Sequence, residues 1–168
     1  TLSHLSKGRF ILGLGSGELE NTVPYGFSFK KAVSRFEEAV KVIRLLWDSE
    51  GGTVDFEGEF FHLEHARMDT EFYEGKAPPI YMAAGGPRTL DFLGRYGDGW
   101  FPGAIRGPEH YAENLAIIHR SAEKAGRDPQ AITPMFMVPC FLGDDDELEE
   151  LLAAPLVKSY VLQIEAEN

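Results

Sequence analysis

Apolar residues along this chain fall into two patterns. Short unbroken runs, Phe10 to Leu14 and Ile80 to Ala84, alternate with longer stretches in which apolar residues recur every three or four positions. An unbroken apolar run suits a strand buried on both faces, as in a parallel sheet covered by helices. The other spacing predicts amphipathic helices. Val33, Phe36, Val40, Ile43 and Trp47 mark the first strong helix, starting near Ser28 or at the capping-box candidate Ser34-Arg35-Phe36-Glu37. Thr1 to Gly8 reads as the last turns of an earlier helix closed by glycine.

The rest of the chain continues the alternation. Thr53 to Phe56 and Glu59 to Leu63 flank Glu57-Gly58 and predict a β-hairpin excursion over 53–65. After the breaker Lys76 to Pro79 and the strand Ile80 to Ala84, Pro87 opens a helix that runs through Leu90 and Leu93 to Gly97. Asp98 to Pro102 starts a third short strand. Pro108 opens a helix with Tyr111, Leu115, Ile118 and Ala122 on one face, ended by Gly126. Ile132 to Leu142 predicts a fourth strand, and Asp144-Asp145-Asp146 the N-terminus of a last helix.

Repeated βα units imply a parallel sheet with right-handed crossovers, either doubly wound or a (β/α)8 barrel. A complete barrel takes about 250 residues, so the βα units in a chain of 168 would form half of one. Both ends read as cut, and the expectation is a piece of a longer protein.

Charge and cysteine content narrow the partners. A formal net charge of −11 argues against a nucleic-acid groove and against an anionic membrane surface. No apolar run approaches the roughly 20 residues of a membrane span, and the first residues show no signal-peptide pattern. The single Cys140 excludes an internal disulfide framework and fits a reducing, cytoplasmic compartment; within an apolar strand it reads as a core residue. The expected partner is a small molecule.

Candidate chemistry sits at strand ends. Glycine recurs at 13, 15 and 17, so backbone can approach a flat ligand. Glu18 follows just past the strand, where a carboxylate can exchange a proton if burial lifts its pKa. Asn21 can hydrogen-bond a ligand or simply end the turn. Ala83-Ala84-Gly85-Gly86-Pro87-Arg88-Thr89 combines bare N–H groups, a helix N-terminus and a hydroxyl, which suits a phosphate, with Arg88 adding charge; packing alone would also explain these small residues. His62 and His65 are expected on opposite faces of a strand, and no bound metal is expected. Trp47 reads as core; Trp100 begins a strand rather than ending one, and its role stays open.

These residues together resemble the luciferase-like flavin and deazaflavin oxidoreductases, a family of (β/α)8 TIM barrels. The resemblance covers nearly all of 1–142. It is carried by Gly15-Ser16-Gly17-Glu18 with Asn21, by Arg35-Phe36-Glu37-Glu38-Ala39 with Leu46-Trp47, by Ala83-Ala84-Gly85-Gly86-Pro87, and by Gly94-Arg95-Tyr96-Gly97-Asp98-Gly99-Trp100. It implies a central fragment of such a barrel, about four βα units plus the hairpin insertion. A Gly-Ser-Gly-Glu turn with Asn three residues later resembles the branch that uses coenzyme F420, an 8-hydroxy-5-deazaflavin. Asn21 to Gly26 and Gly86-Pro87-Arg88 resemble the ketoreductases of that branch.

The resemblance implies that Ser16, Gly17 and Asn21 line the deazaflavin ring and that Glu18 is the acid/base partner. It also implies that Ala83, Ala84, Gly85 and Gly86 hold the ring or the phosphate of its tail. Hydride transfer to or from a carbonyl or alcohol carbon is the expected reaction. Sugar-phosphate members carry a lysine where this chain offers Arg106; a single cation gives little support to an anionic substrate, so a neutral carbonyl compound is expected. The full-length protein is expected to be a homodimer. The alternatives are an FMN-dependent monooxygenase of the same barrel type and a non-catalytic truncated half-barrel.

Overall fold

The structure is a computed structural model that describes residues 1–103, 105–137, 140 and 142–155. In chain order the elements are α1 (Leu2–Leu5), β1 (Leu12–Leu14), α2 (Leu19–Thr22), α3 (Ala32–Trp47), β2 (Thr53–Glu57), β3 (His62–Arg67), β4 (Ile80–Ala83), α4 (Pro87–Tyr96), β5 (Gly99–Phe101), α5 (Pro108–Lys124), β6 (Thr133–Pro134) and α6 (Asp145–Ala153). Strands β1, β4, β5 and β6 form one sheet in that order, all parallel. Strands β2 and β3 form a separate antiparallel hairpin. The βα alternation therefore has the outcome its pattern implies.

The core lies between the sheet and helices α3, α4 and α5. Ile80 and Met82 of β4 and Trp100 of β5 point to that side and are fully buried, against Phe36 and Val40 of α3, Leu90 and Leu93 of α4, and Ile118 of α5. Trp47 packs against this core partly buried, edge-on to Phe72. Helices α4 and α5 touch backbone to backbone at Gly94, where an added Cβ would lie 2.4 Å from the Ile118 carbonyl oxygen. That close approach is open only to glycine.

Asp98 ties the opposite, N-terminal end of the sheet together. Its carboxylate accepts the Ile80 N–H at 2.8 Å and an Arg127 N–H at 3.2 Å, and also pairs with Arg44. Burial pushes the Arg127 guanidinium below its usual pKa; Asp98 opposes that shift and Arg44 adds to it.

Several expectations change. Among the described residues β1 pairs with one strand, β4; Gly13 within it is exposed and Ile11 just before it is 46% exposed, rather than buried on both faces. Helix α3 begins at Ala32 behind Lys31, which holds a positive φ of 56°. Ser34 lies inside the helix and caps nothing; it receives a hydrogen bond from Arg88. The hairpin carries a bulge where Glu64 and His65 lie between the pairs Val54–Ala66 and Phe56–Leu63. The extra residue resets the alternation, so His62 and His65 are both exposed instead of one facing in. Strand β6 stops at Pro134, and the Met135 N–H still reaches the Trp100 carbonyl at 2.9 Å. Of the expected strand to Leu142, residues 138, 139 and 141 lie outside the described residues; the last helix, α6, ends at Ala153, and residues from 156 onward also lie outside the described residues. Cys140 is exposed rather than in a core.

Candidate functional site at the strand ends

The first turn is built by glycine. Gly17 holds φ +81°, a conformation that L side chains rarely adopt, and it reverses the chain between β1 and α2. Glu18 then occupies the position before α2 with extended backbone, φ −120° and ψ 147°. Asn21 lies three residues on, one helical turn away, so the two side chains share a face. The Asn21 amide donates to a Glu18 carboxylate oxygen at 2.7 Å. Thr22 closes the turn by donating its hydroxyl to the Glu18 carbonyl at 2.9 Å. Ser16 is half-buried, while Gly17, Glu18 and Asn21 are exposed. Glu18 thus sits at the strand end that the sequence predicts, and it is exposed there.

The second turn lies beside the first. Parallel pairing sets Gly13 against Tyr81 and Leu14 against Met82, so β1 and β4 end together. A Cβ on Gly15 would stand 3.3 Å from the Ala83 Cβ. Ala83 in turn pairs with Phe101 of β5. Gly15, Ala83 and Phe101 thus meet along the helix-free face as a low, partly exposed shelf. Ala84 is buried, and its carbonyl accepts the Trp100 indole N–H at 2.8 Å. Gly85 and Gly86 are exposed. The Gly86 N–H donates to the Thr89 hydroxyl at 3.2 Å, and that hydroxyl donates back to the Gly86 carbonyl at 2.9 Å. This reciprocal contact starts α4 at Pro87, leaving the first-turn N–H groups of Arg88 and Thr89 without intrahelical acceptors.

Arg88 does not add its charge to this turn. Its guanidinium reaches back to α3 and grips the Glu37 carboxylate at 2.8 and 2.7 Å, with Ser34 at 3.0 Å. The Glu37 hydrogen bond and charge raise the Arg88 pKa above its ordinary value. The bidentate fork prefers a fixed carboxylate over open solvent. Arg106 is exposed in the loop before α5, where its backbone N–H donates to His110 Nδ1 at 3.2 Å. No hydrogen bond or ion pair joins it to either glycine turn among the described residues. The described residues hold no cluster of three or more metal-ligating side chains.

Two residues matter more here than their types foretold. Trp100 is wholly buried and anchors the second turn through Ala84. Tyr111 lies on Trp100 with ring centroids 4.8 Å apart, and its hydroxyl donates to the Met135 carbonyl at 3.3 Å. The signal for Trp100 was the Asp98-Gly99-Trp100 segment itself; for Tyr111, helical spacing indicated only a core face.

A parallel βα sheet with paired small-residue turns at the strand ends defines a barrel-type α/β protein whose chemistry gathers at one rim. The chain belongs to the luciferase-like monooxygenase family, whose model matches residues 1–167, and its four parallel βα strands are part of the (β/α)8 barrel architecture. It is 42% identical over 168 residues to a phthiodiolone/phenolphthiodiolone dimycocerosates ketoreductase of Mycobacterium tuberculosis, covering 99% of this chain and 44% of that protein. It is 36% identical over 154 residues to an F420-dependent glucose-6-phosphate dehydrogenase of Mycolicibacterium fortuitum, covering 88% of this chain and 45% of that one. Among solved structures it is similar to an F420-dependent secondary alcohol dehydrogenase in complex with an F420-acetone adduct. There the TM-score is 0.71 at 30% identity, over 80% of this chain and 41% of the other. The chain therefore spans less than half the length of the curated relatives it matches. No described helix is long and apolar enough to cross a membrane.

Proposed function

We propose that this chain supplies one wall of a coenzyme F420 site in an oxidoreductase that moves hydride between a deazaflavin and a carbonyl or alcohol carbon, acting as a ketoreductase. The observation that carries the reading is the adjacency of the two turns, with Glu18 held by Asn21 at 2.7 Å beside the Gly15–Ala83 shelf. The relatives' names support it, since three of them reduce or oxidise such centres, two of them with F420.

The residues present fit a flat ring with an acidic tail. The shelf offers backbone and methyl surface at Gly15 and Ala83 beside the partly exposed Phe101 ring, and nothing lies within 4 Å of a Cβ on Gly85. Ser16, Gly17 and Asn21 would line the ring, and Ala83, Ala84, Gly85 and Gly86 the ring or the tail phosphate. Bound F420 supplies two-electron hydride chemistry. The chain's own part is to orient that ring, exclude water from one side and manage one proton. In the reducing direction Glu18 donates a proton to the forming alkoxide oxygen; in the oxidising direction it accepts the hydroxyl proton. Asn21 holds the Glu18 oxygen in place and leaves the other free to act.

With Arg88 committed to Glu37 and Arg106 joined to neither turn among the described residues, a neutral carbonyl compound is favoured over an anionic substrate. The same reading makes the full-length protein a cytoplasmic homodimer. Titration of the full-length protein with oxidised and reduced F420, and separately with FMN, tests the cofactor. Tighter binding of FMN with no response to the deazaflavin defeats the proposal and favours a flavin monooxygenase.

A further inference from the structure

Trp100 is fully buried, yet its indole carries one polar atom, and that N–H donates to the Ala84 carbonyl at 2.8 Å. The indole cannot swing away. Met82 and Trp100 are register partners in the sheet, and Tyr111 covers the ring at 4.8 Å while its own hydroxyl is held by Met135. The Ala84 carbonyl is therefore held toward the core. The peptide bond that carries this carbonyl also carries the Gly85 N–H, and the unit is planar and trans. In a trans unit the two groups point in opposite directions. With the carbonyl held inward, the Gly85 N–H must face outward, at an exposed residue with nothing within 4 Å of its Cβ position.

Without the indole, this unit would be free to turn, because the following Gly85-Gly86 pair lacks the Cβ atoms that restrict backbone rotation. We infer that Trp100 is a positioning residue for cofactor binding: by holding the Ala84 carbonyl inward, it presents the Gly85 N–H as a fixed donor to an acceptor oxygen of the deazaflavin. The inference rests on the F420 reading above. The acceptor is either a phosphate oxygen of the tail or a carbonyl oxygen of the ring, both of which accept one N–H in the same way.

The test measures F420 dissociation constants for the full-length protein and for Trp100→Phe, Gly85→Pro, Gly85→Ala and the double variant Trp100→Phe/Gly85→Pro. Trp100→Phe removes the anchor while keeping an aromatic ring, and Gly85→Pro removes the donor itself. Each is expected to weaken F420 binding by ~10-fold, the scale of one well-placed hydrogen bond. The double variant should bind no more weakly than Gly85→Pro alone, because both changes act through one donor. Gly85→Ala, which keeps the N–H, should bind more tightly than Gly85→Pro.

A deazaflavin lacking the phosphate tail serves as second titrant: loss of the effect assigns the tail oxygen, and its persistence the ring oxygen. Wild-type affinity in Trp100→Phe overturns the inference, as do losses that multiply in the double variant. Should Trp100→Phe fail to fold, equal affinities of Gly85→Pro and Gly85→Ala overturn it. Wild-type protein that binds neither deazaflavin defeats the cofactor reading as well, and that is seen before any variant is compared.

Discussion

The Asn21 amide and the Glu18 carboxylate meet at 2.7 Å across a single helical turn. The contact needs no help from distant parts of the chain. Gly17 turns the backbone, Glu18 precedes the helix in extended conformation, and the helical repeat brings residue 21 over it. A charge-assisted hydrogen bond of this kind limits the rotamers of both side chains.

For Glu18→Gln the expected outcome is cofactor affinity within a few-fold of wild type and turnover lowered by ~100-fold or more, the scale of an acid/base group. Glutamine keeps the size and the Asn21 contact but cannot carry the proton. Steady-state turnover alongside F420 titration checks this, and unchanged turnover would assign Glu18 to solvation of the turn.

Gly94→Ala should destabilise the fold without touching the site. The new methyl would press on the Ile118 carbonyl oxygen at 2.4 Å, on the Ser121 Cβ at 2.7 Å and on the Ala122 nitrogen at 3.0 Å. Backbone cannot rotate aside as a side chain can, so α4 and α5 must separate, at about 1–3 kcal/mol. A lower midpoint in urea unfolding is the readout; an unshifted midpoint would show that the helices slide freely.

The hairpin should loosen in acid. Partial burial pushes the Glu38 carboxyl up, but the Phe60, Glu59 and Phe61 N–H groups, with Lys41, outweigh it and hold the pKa below its ordinary value. A lowered folded-state pKa means that the stabilisation is present above the unfolded value of about 4.3 and is lost as pH falls through the folded value. Amide hydrogen exchange at Glu59 and Phe60 should therefore lose protection as pH falls through the lowered Glu38 value. Glu38→Gln should remove most of that pH dependence; a dependence that persists in the variant assigns it elsewhere.

Asp98→Ala should lower stability and leave cofactor affinity alone. It strips the Ile80 N–H of its carboxylate and leaves the half-buried Arg127 and Arg44 with one less partner. A cost of about 2 kcal/mol is expected for a pair that solvent still partly reaches. The site lies at the other end of the strands, so thermal unfolding should shift while the F420 dissociation constant does not. A large affinity change would contradict that separation of ends.

Much of the fold could be read from the chain because its cues are local. The Val33 to Trp47 repeat, Pro87 and Pro108 as helix openers, and Gly126 as a stop each act within a few residues. The failures share the opposite cause. Ser34 looked like a cap, but α3 starts two residues earlier, at Ala32, leaving the serine to Arg88 from 54 residues away. Strand β1 looked buried because its residues are apolar, but burial depends on which strands flank it, and among the described residues only β4 does.

The sequence by itself determined the order of βα units and the two glycine turns, since each follows from spacing along one element; the Glu18–Asn21 contact is just as local, but the structure is what revealed it. Tertiary structure alone decided that Gly15 meets Ala83, that Trp100 holds the Ala84 carbonyl, and that Arg88 spends its charge on Glu37. These contacts join residues brought together by the parallel register and by helix packing. Their geometry is set by how whole elements stack, which no local pattern of residues encodes.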